Sequence, residues 1–163
     1  MNIIKQSALL TLTILAFSFP AFGNDEVKAA AEKGKAKYIL CGACHGIKGD
    51  GQMAPGINMA PSFLDSKLLK LDAEVSALVL FKGIVKENPA EYMGQLMMPL
   101  GASMPDEDVA NIITYVRSEF GKVNELTTAE QVKAWREKHA SAAQPKRADL
   151  EKLGEEIKKK KAE

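Results

Sequence analysis

The chain has 163 residues, 46% of them hydrophobic, with 22 basic and 21 acidic side chains and a formal charge of +1. That length fits a single domain, and so even a charge balance excludes the concentrated basic face that nucleic acid requires. Only two cysteines and two histidines are present (Cys41, Cys44, His45 and His139), so metal chemistry has few places to sit.

Met1 to Lys5 give a short basic start, and an apolar run from Ala8 to Phe19 follows. Ala21 and Gly23 then make a small-x-small cleavage pattern before the polar Asn24, which reads as a secretory signal peptide over 1–23. The apolar run is shorter than the ~20 residues a membrane span needs; an uncleaved anchor is the alternative. Cleavage before Asn24 leaves 21 basic and 21 acidic side chains and no transmembrane span in the mature chain. Asn24 and Asp25 are good helix caps, and Val27, Ala30, Ala31, Gly34 and Tyr38 follow at helical spacing. The pattern predicts a helix over about 25–40. Gly34 costs it about 1 kcal/mol relative to alanine, which suits a second helix crossing closely there.

Cys41-Gly42-Ala43-Cys44-His45 comes next. Two cysteines three apart with a histidine after the second form the attachment signature of a c-type haem. Thioethers from Cys41 and Cys44 fix two porphyrin edges to one turn of backbone, and His45 presents an imidazole to the iron. A four-ligand zinc site needs two more ligands, and His139 is the only other Cys or His. A dithiol redox pair belongs in βαβ surroundings, of which there is no sign. Covalent haem attachment in bacteria takes place outside the cytoplasm, so the motif and the signal peptide agree.

Glycine and proline punctuate the chain from Gly46 to Pro61, a loop that wraps the haem edge. The Pro61 carbonyl, or one near it, is a candidate acceptor for the Nδ1–H of His45, since a ligating histidine is normally held by such a partner. Asp72 caps a helix through Lys82, and residues 84–95 are irregular. Met93, Met97, Met98 and Met104 then fall within twelve residues, in a loop rather than at helical spacing. A thioether suits a haem iron and raises its potential. Met98 is the candidate sixth ligand, because Pro99 biases it towards extended geometry; Met97 is the runner-up.

Val109, Ile112, Ile113, Val116 and Phe120 make one apolar stripe on a helix from Asp106 to about Gly121, its first turn acidic. Thr127 or Thr128 caps a further helix bearing Val132 and Trp135, with Glu130 as capping-box partner. Residues 140–163 read as a charged tail, helical or disordered, ending in four lysines. A solvated tail is the first reading, a docking or membrane-surface element the second. On the first, truncation at Ala140 leaves stability nearly unchanged.

With these residues in view, the sequence resembles a class I bacterial monohaem cytochrome c domain over roughly residues 31–139. The resemblance rests on Gly34 and Tyr38 ahead of the haem motif and Gly46, on Gly49-Asp50-Gly51, and on Pro61 and Tyr92. It continues through Met98-Pro99, Asp106 to Ala110 and Thr114 to Arg117. It implies an all-α fold around one covalent haem c and its iron, with an extra C-terminal helix. Signal cleavage before Asn24 and the composition change at Ala140 set the domain limits at 24–139, and the resemblance implies Cys41, Cys44, His45, Met98 and Pro61 at the haem, with His45 and Met98 on the metal. The function implied is that of a periplasmic electron carrier, not an enzyme. Its partners would be periplasmic or membrane-bound redox proteins, whether dehydrogenase, reductase or oxidase. Two alternatives stand beside it: a haem enzyme or gas sensor with an open sixth site, and a haem subunit held permanently on a larger oxidoreductase.

Overall fold

The computed structural model describes residues 23–64, 66–87, 93 and 96–163. Residues 1–22 of the expected signal segment, and Tyr92, lie outside them. The described residues are mainly helical: α1 (Asn24–Lys37), α2 (Ile39–His45), α3 (Ala73–Lys82), α4 (Asp106–Glu119), α5 (Ala129–Lys138) and α6 (Arg147–Ala162). The loop after the haem motif also holds two short antiparallel strands, β1 (Gln52–Ala54) and β2 (Ile57–Asn58).

The single helix expected over 25–40 is two. α1 ends at Lys37, Tyr38 sits between, and α2 carries the haem motif. Asp72 caps α3 as its side chain accepts from the Glu74 amide at 2.9 Å. At α5 the cap is Thr128, whose hydroxyl accepts from Gln131 N at 3.3 Å while Gln131 Oε1 accepts from Thr128 N at 2.9 Å. The reciprocal partner is therefore Gln131, not Glu130, because it stands at the third helical position that can reach back.

α4 is the central element. Its stripe packs into a core with Tyr38, Cys41, Leu69, Ala77, Leu80, Phe81 and Val132. Burial spreads well beyond that stripe, to Asn111, Thr114 and Arg117, because α1, α3 and α5 all pack against α4. α1 crosses α4 at Gly34: a Cβ built there collides with the Asn111 carbonyl and lies 2.8 Å from Tyr115 Cβ. Arg117, buried in the core, donates from Nη2 to the Leu71 carbonyl at 2.8 Å and pairs with Glu125 at 3.1 Å.

The reading of residues 140–163 as a solvated tail needs correction. Leu150 on α6 is fully buried with Val75 and Leu78 of α3. Val85 donates its amide to the Pro145 carbonyl at 3.0 Å, and Lys161 pairs with Asp72 at 2.6 Å. Gly154 lets the helix lie against Leu71. The apolar points at 150, 153 and 157 form a stripe too narrow to signal docking by itself; α3 supplies the receiving surface.

Candidate haem site

Tyr38 anchors the haem motif from below. Its hydroxyl donates to the Gly46 carbonyl at 2.8 Å, and its ring packs on Tyr115 and Phe120 at centroid distances of 5.3 and 5.4 Å. Gly46 closes α2 at φ 74°, where a side chain would also strike the Asp50 carboxylate. The loop then folds back on the motif. Gly51 N donates to the His45 carbonyl at 2.8 Å, and Phe63 N to the Gly49 carbonyl at 2.7 Å.

That return brings Pro61 to His45, with Nδ1 at 3.1 Å from the Pro61 carbonyl oxygen. A carbonyl can only accept, so Nδ1 carries the hydrogen and Nε2 keeps its lone pair. Burial pushes the imidazole below its ordinary pKa, and the Pro61 bond only partly opposes this. His45 is therefore neutral near pH 7, the form that can coordinate a metal. Phe63 stacks on the ring, centroids 4.1 Å apart and planes 18° from parallel.

His45 and Cys41 open onto one shared cavity. Its walls are apolar almost throughout: Phe63, Leu68 and Leu69 from the loop, Val75, Val79 and Leu80 from α3, Ile112 and Val116 from α4, and Met97. Burial, with a smaller contribution from Cys44, pushes the Cys41 thiol up to about 11. Cys44 is exposed.

Met97 and Met98 part company here. Met97 lines the cavity, its backbone fixed by an antiparallel bridge to Ile84. Met98, the expected sixth ligand, is 60% exposed and does not line it. The reason is the alternation of an extended chain, in which neighbouring side chains point to opposite faces. Met93 is exposed, and Met104 packs against the core outside the cavity lining. His139 is engaged elsewhere, Nε2 at 2.7 Å from Glu74 Oε1, an oxygen that Lys138 also reaches at 2.6 Å.

The family model of cytochrome c matches residues 31–119, more than half of the chain. The chain belongs to the cytochrome c family. No curated protein matches this cytochrome. Membership makes it a haem-binding electron-transfer protein with haem c attached covalently, and its residues fit that group. Cys41 and Cys44 stand on one short helix, a neutral imidazole lies beside them, and a largely apolar cavity opens in front. Phe63 and the α3 wall did not stand out in the sequence. The only signals were an aromatic two places after Pro61 and the dense apolar run from Val75 to Phe81. Helices α5 and α6 lie beyond the matched span.

Proposed function

We propose that this cytochrome is a periplasmic one-electron carrier, not an enzyme, whose iron is held by His45 on one side and Met97 on the other. Met97 replaces Met98 in that role. The observation that carries the reading is the shared cavity: His45 and Met97 both line it, whereas Met98 is exposed to solvent. The bound haem supplies a one-electron couple at iron, tuned upward by thioether ligation. The chain's own residues do the rest. Cys41 and Cys44 anchor the ring, and the Pro61 carbonyl orients His45 through Nδ1. Phe63, Leu69, Val75, Val79, Leu80, Ile112 and Val116 exclude water, which keeps the reorganisation accompanying a charge change small.

Partner choice belongs to the surface beside these anchors. Ile39 and Leu40 precede Cys41, while Leu96, Met98 and Leu100 flank Met97, and all five are exposed. Apolar residues so placed suit the small, brief interfaces of redox proteins. Export rests on the basic start, apolar run and small-x-small pattern of residues 1–23. Among the described residues no helix is long and apolar enough to cross a membrane.

The test is the reduced holoprotein under carbon monoxide. With both axial positions filled, its spectrum stays unchanged. Rapid and complete binding of carbon monoxide would replace this reading with that of an enzyme or gas sensor bearing an open site.

A further inference from the structure

Arg136, on α5 and outside the span shared with the family, reaches into the methionine loop. Its Nη1 donates to the carbonyls of both Gly101 and Ala102 at 3.0 Å, and Nη2 to the Met104 carbonyl at 3.0 Å. Nε donates to Asp106 Oδ1 at 2.8 Å, at the start of α4. The guanidinium lies over the Phe81 ring, 4.5 Å from its centroid. One planar fork thus holds three backbone carbonyls, a carboxylate and an aromatic face together. Lysine cannot reproduce this, since its ammonium is a single point charge without the fork.

The carbonyls belong to the segment immediately after Met97-Met98-Pro99, a tight turn at Leu100–Ala102 leading into α4. Gly101 presses that turn onto α3, for a Cβ there would lie 2.9 Å from Leu80 Cβ. The other flank of Met97 is held by the bridge to Ile84. Its neighbour Val85 donates to Pro145, between α5 and α6. The C-terminal helices therefore brace the loop on both sides of Met97, and Arg136 supplies the brace on the downstream side.

We propose that Arg136 is a positioning residue that holds the Met97 thioether on the haem iron by clamping the 101–104 carbonyls. The inference rests on the assignment of Met97 as sixth ligand. A thioether–iron bond is a single contact made from the loop, so the loop's freedom sets how often that contact opens. Local opening of this kind has its own free energy, separate from global unfolding. Releasing the clamp lets the loop swing out and exposes the iron to competitors.

The experiment titrates the ferric holoprotein with imidazole. It follows the weak band at the red edge of the spectrum that arises from sulfur-to-iron charge transfer. Arg136→Lys, which keeps the charge and loses the fork, lowers the half-displacing imidazole concentration about tenfold, equivalent to about 1.4 kcal/mol. Arg136→Gln shifts it at least as far, and Asp106→Asn, which leaves the carbonyl contacts in place, shifts it less. Val27→Ala, buried in α1 away from the loop, lowers the melting temperature and leaves the titration where it was. The proposal is overturned if the Arg136 variants melt lower yet titrate as the wild type, or if Val27→Ala moves the titration as much as they do. A wild type without the band overturns the Met97 assignment itself.

Discussion

Leu150→Ala tests whether α6 belongs to the folded body. Leu150 is fully buried, so the deletion loses most of the transfer free energy of a leucine, about 1.5–3 kcal/mol. A cavity between Val75 and Leu78 adds to that, and Leu→Ala in cores ranges over about 2–5 kcal/mol. The upper end is out of reach here. α6 is the last helix, tied to the body by the Leu150 cluster, the Lys161–Asp72 pair and the Pro145 carbonyl. Once the cavity costs more than those ties provide, the helix undocks instead, and the loss is capped at its docking free energy. The expected cost is about 2–3 kcal/mol. At roughly 4 °C per kcal/mol for a chain of this size, melting falls by about 8–12 °C. Thermal unfolding of the holoprotein followed by circular dichroism measures it. Truncation after His139 lowers melting at least as much, because it also takes away the Pro145 carbonyl that holds Val85 beside the methionine loop. A change below about 0.5 kcal/mol in both variants, the size of an ordinary surface substitution, refutes the docked helix and restores the solvated tail.

Two further outcomes follow from the packing and the charges. Gly34→Ala gains about 1 kcal/mol of helix propensity, but its methyl group drives into the backbone carbonyl of Asn111, which cannot step aside without moving α4. A net loss of about 1–3 kcal/mol in denaturant unfolding is expected; a neutral or stabilising result would show that α1 and α4 do not cross at that point. At Asp72, burial by itself raises the carboxyl pKa, but the hydrogen bond from Lys161 and that from the Glu74 amide outweigh it and leave the group below its ordinary value. The folded state therefore binds this proton less readily than the unfolded state. The stabilisation is present above the unfolded pKa of about 3.9 and fades as pH falls through the lower folded value. Asp72→Asn narrows the gap between urea midpoints at neutral pH and at about pH 3; an unchanged gap removes Asp72 from the acid response.

The haem motif was legible because covalent chemistry dictates its spacing whatever the fold around it, and the Pro61 carbonyl followed from the need to orient His45. Gly34 was legible for a related reason: a glycine inside a helix is a cost that a close crossing explains. The methionine doublet was not. Pro99 fixes the backbone before it but leaves both faces of an extended chain open, and only the bridge to Ile84 turns Met97 inward. α6 failed for want of context, since three apolar points on a charged helix bury nothing until α3 offers Val75 and Leu78. Arg136 resembled any surface arginine near the end of a helix, because its partners are backbone carbonyls 32 to 35 residues earlier in the chain.

The most direct test of His45/Met97 ligation is the optical spectrum of the ferric holoprotein carrying Met97→Ala beside that carrying Met98→Ala. In the first, the sulfur-to-iron charge-transfer band disappears, the potential falls and the reduced form binds carbon monoxide. In the second, the band stays and carbon monoxide is refused. Loss of the band with Met98→Ala and its retention with Met97→Ala would contradict the account.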